Sequence, residues 1–250
     1  IASAASQCVC AVLIVVSLLR SKENIALRPH ALKVSADKAR FVLRLGIPAG
    51  CQNAIFAIAN LFIQSGVNSF DAVTVEGNSA AANSDALVYD VMNAFYMACS
   101  SFISQNMGAK KKKRMLQSYF ISLAYSFGAG AVLGLSLVVF GRQFLSLFTK
   151  DAAVMEAGMA RLRVMGFSYM VSAFMDNTIA ASRGLGKALV PTIIVILGSC
   201  VFRVVWVYTI FAYFHTIDSL YLLYVFSWTI TAVAEILYFA KSYRKLAATL

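Results

Sequence analysis

Seven long apolar stretches dominate this chain of 250 residues. A helix rises ~1.5 Å per residue, so each stretch is about as long as a helix must be to cross the ~30 Å hydrocarbon core of a membrane. A helix also pairs its own backbone polar groups, which lipid cannot do for it. The pattern therefore predicts an all-α fold, a polytopic bundle of seven transmembrane helices. The predicted spans cover residues 1–19, 46–70, 79–106, 115–141, 156–182, 189–214 and 218–240.

The basic residues fall on alternate connections between these spans. Of the 22 lysines and arginines, 17 lie beside span ends on one side of the predicted membrane, whereas Arg142 and Lys150 lie on the other. Basic loops are typically cytoplasmic, so we expect the C-terminus inside the cell. A bacterial inner membrane is the expected location of a chain of this kind. The net charge of +11 then indicates contact with anionic membrane lipid and no nucleic-acid partner.

The connections divide the chain into four parts. Residues 1–20 hold one span, residues 21–45 form a long polar connection, residues 46–241 hold six spans, and residues 242–250 form a cytoplasmic tail. The polar connection ends, at 35–45, in a stretch typical of an amphipathic helix on a membrane surface. Transporters are often built from two such bundles. Because the chain begins without Met in an apolar run, we expect a fragment: the last helix of a missing N-terminal lobe, an inter-lobe linker and a complete C-terminal lobe.

Polar side chains recur at helical spacing within four of the six spans of this lobe. Such side chains are costly in hydrocarbon, so they normally face the bundle interior or a water-filled cavity. A single Ser or Thr is more often part of an interhelical hydrogen bond. The stripes consist of Asn53, Asn60 and Gln64; of Tyr89, Asn93, Ser100 and Ser104, with Asp85 and Asp90 nearby; of Ser168, Ser172 and Asp176; and of Ser227, Thr231 and Glu235.

The acidic residues of the stripes support sharper hypotheses, because an intramembrane carboxylate is by default an ion site, a proton site or half of an ion pair. Both interpretations stay open for Asp176, whereas an ion pair is favoured for Asp90. Arg203 is the expected partner of Asp85 or Asp90, since a pair with Asp176 would need a long reach. Glu235 is interpreted as an interfacial residue.

Catalytic and metal chemistry have little support in the sequence. The two histidines, His30 and His215, lie in connections, and the sequence contains no HExxH motif. We therefore expect no enzyme and no metal site. The five cysteines are scattered through apolar stretches, which fits small core residues better than a disulfide framework or a zinc site.

Gly130 and Gly134 form a small-xxx-small pair in the span at 115–141. Such a pair lets another helix approach closely. We expect packing inside the bundle, with a dimer contact as the alternative.

Six segments, in order along the chain, resemble motifs of the multidrug and toxin extrusion (MATE) family. The most specific, FISQNMGAKKKKR at 102–114, resembles the signature that follows the second span of each half of those transporters. The other five resemble spans seven and eight, the turn between spans ten and eleven, span eleven and span twelve. They are GIPAGCQNAIFAIANLFIQSGVNSF (46–70), GNSAAANSDALVY (77–89), RGLGKALVP (183–191), FRVVWVYTIF (202–211) and SWTITA (227–232).

The resemblance implies the second lobe of a MOP flippase superfamily transporter that exports varied, often cationic compounds in exchange for Na⁺ or H⁺. It implies no cofactor, and its partners would be small-molecule substrates, membrane lipid and the missing lobe. Asp176 stands where one branch of the family has an ion-coupling acid. That branch also has an acid on span seven, which this chain lacks, so the coupling ion stays open. The substrate cavity of this lobe would be lined by Asn53, Asn60, Gln64, Tyr89, Asp90, Asn93 and Ser172.

Two other functions stay open. A lipid-linked precursor flippase of the same superfamily would need a cationic cavity to hold an anionic headgroup. The predicted spans contain several acids as well as three basic residues, Arg161, Arg163 and Arg203. A non-transporting membrane scaffold would have no cavity and would tolerate a bulky residue at Asn60.

Overall fold

The described part of the chain is folded into eight helices. The computed structural model describes residues 2–21, 27–28, 33 and 35–249, so much of the predicted linker lies outside the described residues. The penultimate helix contains two π-helical stretches, Ile196–Val201 and Val207–Phe211. The helices are α1 (Ala2–Arg20), α2 (Ala36–Val67), α3 (Ala72–Gly108), α4 (Lys112–Val139), α5 (Gly141–Leu145), α6 (Ala152–Gly184), α7 (Leu189–Phe214) and α8 (Ile217–Thr249).

The chain divides into two compact units, Ile1–Leu43 and Arg44–Leu250. The first contains α1 and the start of α2, and within it the Leu27 N–H donates to the Leu18 carbonyl over 3.0 Å. The second contains the rest of α2 and the helices from α3 to α8.

Each predicted span is helical where it is described, except at residues 68–70 and 140, and the all-α fold class is confirmed for the described residues. Within the described ranges, five helices are long and apolar enough to cross a membrane, namely α2, α3, α4, α7 and α8. The chain is therefore a multi-pass membrane protein. The apolar part of α1, Ala4–Arg20, is shorter, and α6 does not meet the same criterion. The predicted count of seven transmembrane helices is thus not confirmed.

The polar character of α6 follows from its place at the centre of the second unit. It packs against α3, α4 and α8. Its buried side chains include Arg161, Asn177 and Thr178. Because this helix meets protein on several sides rather than lipid, it can carry polar groups that lower its mean hydropathy.

α2 continues without a break through the predicted boundary between the surface helix at 35–45 and the span at 46–70. Pro48 lies inside the helix. A proline there removes one backbone hydrogen bond, the one to the carbonyl four residues earlier. That single loss does not divide the helix, and the surrounding residues supply no other helix breaker than isolated glycines.

The segment RGLGKALVP forms the turn between α6 and α7. Gly186 has φ +71°, the left-handed conformation that glycine adopts without steric cost. The Lys187 N–H donates to the Ser182 carbonyl over 3.0 Å, and the Gly186 N–H donates to the Arg183 carbonyl over 2.8 Å. This is a Schellman motif, which pairs the last carbonyls of a helix and ends it.

Gly134 lies where α4 and α6 come closest. A Cβ atom at Gly134 would stand 2.1 Å from the Gly166 carbonyl oxygen, and one at Gly130 would stand 3.2 Å from the Tyr169 carbonyl oxygen. The predicted packing inside the bundle is confirmed, because both glycines face α6.

The interpretation of the cysteines as core residues is correct for two of the five. Cys99 and Cys200 are buried, whereas Cys8, Cys10 and Cys51 are exposed. The exposed three lie on faces of α1 and α2 that also expose large apolar side chains. An apolar run in a membrane protein can face lipid, so it does not by itself indicate a core.

Candidate functional site

A cavity lies between α2, α3, α6, α7 and α8 within the second unit. Its volume is about 460 Å³, within the ~300–1,000 Å³ of typical ligand sites. Aromatic, aliphatic and amide side chains line it together with four charged residues. The charged residues are Asp85, Arg161, Asp176 and Arg203.

Helical spacing explains why several of these side chains meet. Asn60 and Gln64 are four residues apart on α2, and Tyr224 and Trp228 are four residues apart on α8; all four line the cavity. Residues four apart share a helix face. The α2 pair was predicted from the sequence, whereas the α8 pair was not, although the same spacing of large aromatic residues indicates it.

Arg161 is the centre of a hydrogen-bond network at one end of the cavity. Its Nη2 donates to the Asp85 carboxylate over 2.5 Å and its Nη1 donates to Asn78 Oδ1 over 2.9 Å. The Tyr169 hydroxyl also donates to Asp85, and the Tyr221 hydroxyl donates to Asn78 over 3.2 Å. The network joins α3, α6 and α8, and it balances the charge of a buried guanidinium.

Arg203, on α7, is enclosed by aromatic rings. Its guanidinium carbon lies 4.7 Å from the ring centre of Tyr224, 5.2 Å from that of Phe56 and 5.8 Å from that of Trp228. Ring faces attract a cation, so this setting favours a charged arginine. Nη1 donates to Asn60 over 3.1 Å. The buried Nη2 has no partner among the described residues, which leaves one donor unsatisfied beside the cavity.

The predicted ion pairs of two acids are wrong. Asp85 pairs with Arg161 and not with Arg203. The physical reason is that α3 packs along α6, whereas the part of α7 around Arg203 packs on α8. Asp90 is exposed and forms no ion pair within the described part of the chain.

Asp176, on α6, is half-buried and lines the cavity. Among the described residues none forms an ion pair with it, so the ion-pair interpretation is not supported. The guanidinium groups of Arg183 and Arg203 act on it electrostatically from beyond ion-pair distance. Its carboxylate is therefore open to a ligand in the cavity, and its coupling role stays a prediction.

Three of the predicted cavity residues, Asn60, Gln64 and Tyr89, line the central cavity, and the other four do not. Tyr89 lines the cavity with the residues described above. Ser172 is fully buried and donates to a backbone carbonyl one turn earlier in α6. Asn93 lines a smaller pocket of about 360 Å³. Asn53 and Asp90 are exposed on α2 and α3, and Asn53 lies two helical turns from Asn60.

Glu235 was expected at the membrane interface, but it is fully buried. Ser227 and Thr231, eight and four residues earlier on α8, are buried on the same face. The stripe was visible in the sequence. The burial of Glu235 within the protein was not visible, because residue counting does not reveal that α6 and α7 cover this face.

A polar cavity inside a bundle of membrane-length helices is typical of transporters. The MatE family model matches residues 48–209, which is well over half of the chain, and the chain belongs to that family. The resemblance to the MATE family is thereby confirmed.

Two curated relatives and one solved structure illustrate the similarity. The probable multidrug resistance protein YoeA of Bacillus subtilis is 24% identical over 163 residues, 65% of this chain and 35% of that protein. A FAD transporter of Shewanella oneidensis is 28% identical over 109 residues, 44% of this chain and 24% of that protein. An outward-facing multidrug resistance MATE family transporter of the MOP superfamily aligns with a TM-score of 0.85 at 19% identity, over 96% of this chain and 55% of that chain.

The chain thus spans about a third or less of these curated relatives and about half of the solved transporter. At this identity the structural likeness shows the fold alone.

Proposed function

We propose that this chain is the second lobe of a secondary-active multidrug efflux antiporter. It would export small organic compounds, often cationic, in exchange for entering Na⁺ or H⁺. Two lobes would rock so that the central cavity opens to one side of the membrane at a time. Membership of the MatE family and the probable multidrug resistance protein among its relatives support transport rather than an enzymatic reaction.

One observation carries the proposal: the Asp176 carboxylate faces a cavity of about 460 Å³ and has no ion-pair partner among the described residues. A carboxylate in a low-dielectric cavity attracts a cation more strongly than it would in water. Tyr89, Tyr224 and Trp228 line the same cavity, and their rings add to the attraction for a flat cation.

In the proposed cycle, the substrate and the coupling ion compete for Asp176. A substrate cation binds while the carboxylate is charged and open to the cytoplasmic side. Entry of Na⁺ or H⁺ from outside then neutralises the carboxylate and favours release. Each ligand shifts the equilibrium between the two states only as far as its affinities for them differ.

The proposed membrane arrangement has seven transmembrane helices. It adds α1 and α6 to the five helices that meet the criterion of length and hydropathy. The charged groups of α6 need not contact lipid, because α3, α4 and α8 pack against this helix. The distribution of basic residues supports a cytoplasmic C-terminus, and the bacterial relatives support a bacterial inner membrane.

The division of the chain predicted from its sequence is part of the proposal, and alignment to about half of the solved transporter supports it. Residues 1–20 would be the last helix of a first lobe, residues 21–45 an inter-lobe linker, residues 46–241 the second lobe and residues 242–250 a tail. The first lobe would be the partner that completes the substrate route.

Several polar side chains are exposed on α2 and α3, among them Asn53, Asp90 and Asn93. Polar groups are costly against hydrocarbon. We propose that they face the first lobe and the water-filled route between the lobes, where they would contact substrate.

Accumulation of a fluorescent cationic dye in an efflux-deficient bacterium tests the proposal. The full-length protein should lower cellular dye several-fold, and Asp176→Asn should abolish this effect at equal protein level. Asp218→Asn is the matched control, because Asp218 is an exposed aspartate in the first turn of α8. Absence of dye export by the native protein, or export unchanged by Asp176→Asn, would contradict the proposal.

A second candidate is transport of an anionic compound, and the unpaired Nη2 of Arg203 beside the cavity favours it. A relative described as a FAD transporter also supports an anionic substrate. Export of FAD but not of the dye, abolished by Arg203→Gln, would support this candidate. A lipid-linked precursor flippase has less support, because Asp85 already balances Arg161 and one cavity arginine is then left for a large anionic headgroup.

A further inference from the structure

Glu235 is an isolated carboxyl group in the interior of the second unit. The residue is fully buried, and neither carboxyl oxygen has a hydrogen-bond partner among the described residues. It does not line the central cavity. A charged carboxylate in such a place loses its hydration without compensation, which strongly disfavours the charged form. The group must therefore be neutral, bind a cation or acquire a partner.

Arg183 is the charged group that acts on Glu235 from α6. Its guanidinium is farther than 4 Å from the carboxyl group, since no ion pair forms between them. Instead Nη2 donates to Gln52 over 3.0 Å, and the buried Nε has no partner among the described residues. Arg183 thus has one donor satisfied by α2 and one donor available for a different partner.

The same arginine also acts electrostatically on Asp176. Asp176 and Arg183 are seven residues apart, two turns along one face of α6. Arg183 consequently interacts with a carboxyl group at the central cavity and with a second one on α8. A change of charge at either acid alters the field at the arginine they share.

The other helices that pack near Glu235 offer it no charged partner in the described part of the chain. From α7, the Ser199 hydroxyl pairs with Thr231 over 2.8 Å, one turn before Glu235. From α4, the Tyr119 hydroxyl pairs with Thr178 over 3.0 Å, and its ring stacks on Phe239, one turn after Glu235. These hydroxyl groups are already engaged.

The surroundings of Glu235 favour a proton over a metal ion as its ligand. A hard cation such as Na⁺ or Ca²⁺ requires several oxygen ligands at once. Within the described residues no cluster of three or more acidic, histidine or cysteine side chains could hold a metal ion. A proton needs one oxygen only, and the buried carboxyl group of Glu235 supplies it.

A pocket lies beside Arg183. Arg183, Asn93, Tyr96 and Ser100 line a pocket of about 360 Å³ that is separate from the central cavity. Glu235 is close enough to Arg183 for an electrostatic interaction. Movement of the guanidinium between Gln52 and Glu235 would connect this pocket to the buried carboxyl group.

We propose that Glu235 is a second proton-binding carboxyl group, linked to Asp176 through Arg183. In the arrangement described here Glu235 carries its proton and Arg183 donates to Gln52. When the proton leaves to water in the pocket beside Arg183, the guanidinium turns from Gln52 to the new carboxylate and pairs with it. The effect of this exchange on Asp176 rests on the proposed transport function, whereas proton binding by Glu235 does not.

Infrared difference spectroscopy of the purified full-length protein tests the proposal directly. A protonated buried carboxyl group gives a carbonyl stretching band that disappears when the group ionises. In an Asp176→Asn background, raising the pH should remove one such band, and Glu235→Gln should eliminate it. Glu76→Gln, at an exposed glutamate of α3, should leave the band intact. A band unaffected by Glu235→Gln would overturn the proposal.

Arg183→Gln tests the link. Loss of the positive charge makes the Glu235 carboxylate less favourable, so the band should persist to higher pH by at least one unit, a tenfold change in proton affinity. An unchanged titration would overturn the role of Arg183. Glu235→Asp keeps the acid and should keep a shifted band, so it separates proton binding from a folding defect in Glu235→Gln. Because these bands do not depend on transport, a failure of dye export would leave their interpretation intact.

Discussion

Arg161 of α6 and Asp85 of α3 form an ion pair of 2.5 Å in which the arginine side chain is 6% exposed and the aspartate side chain 22% exposed. The pair ties two neighbouring helices together at one end of the central cavity. Asn78 accepts hydrogen bonds from Arg161 and from Tyr221 of α8, so the network also includes α8. The position of the pair makes it a determinant of the shape of the cavity.

Removing one partner of this pair should strongly destabilise the protein. Asp85→Ala leaves the Arg161 guanidinium buried without a counter-charge, which we expect to cost about 3 kcal/mol of unfolding free energy. Arg142→Ala is the comparison, because the Arg142–Glu156 pair is 70% and 51% exposed and should contribute less than about 1 kcal/mol. Denaturant unfolding in detergent measures both. Equal losses in the two variants would contradict the assigned importance of the buried pair.

The contact between Gly134 and Gly166 predicts different stabilities for two glycine-to-alanine variants of α4. Gly134→Ala places a Cβ atom 2.1 Å from a backbone oxygen of α6, so the helices must separate, at a cost of about 1–3 kcal/mol. Gly128→Ala, in the same helix, meets no atom within 4 Å and should be neutral or stabilising by up to about 1 kcal/mol. Thermal unfolding of the two variants provides the measurement. A stable Gly134→Ala protein would show that α4 and α6 are not in close contact.

The two tryptophans provide a direct test of where substrate binds. Trp228 lines the central cavity, whereas the Trp206 indole donates to the Ser219 carbonyl over 2.9 Å and is absent from the lining. In a background where any tryptophan outside these 250 residues is replaced by phenylalanine, an aromatic cationic dye should therefore quench the fluorescence of Trp206→Phe, which retains Trp228. It should quench Trp228→Phe at least several-fold less. The reverse pattern would place the dye outside this cavity.

Several features of the fold could be predicted because they depend on local sequence. The limits of α7 match the predicted span at 189–214. Apolar length determines how far such a helix extends, and Pro191 close to its start costs little backbone pairing. The packing of Gly134 was likewise predictable from residue spacing.

Features that depend on lateral neighbours could not be predicted. Residue counting gives the depth of a side chain along a helix, but it does not tell which helix stands beside it. This is why Asp85 was assigned to Arg203 when its partner is Arg161, and why the full burial of Glu235 was missed. Asn60 and Gln64 were identified because they share a helix face, which is a local property.

Gradient-driven transport in liposomes tests the central claim most directly. The full-length protein would be reconstituted with the dye, and a proton or sodium gradient would be imposed in separate experiments. We predict that one of the two gradients drives dye uphill, that Asp176→Asn loses at least tenfold of this transport, and that Asp218→Asn retains it. Gradient-driven transport that is unchanged in Asp176→Asn would contradict the assignment of this carboxylate as the coupling group.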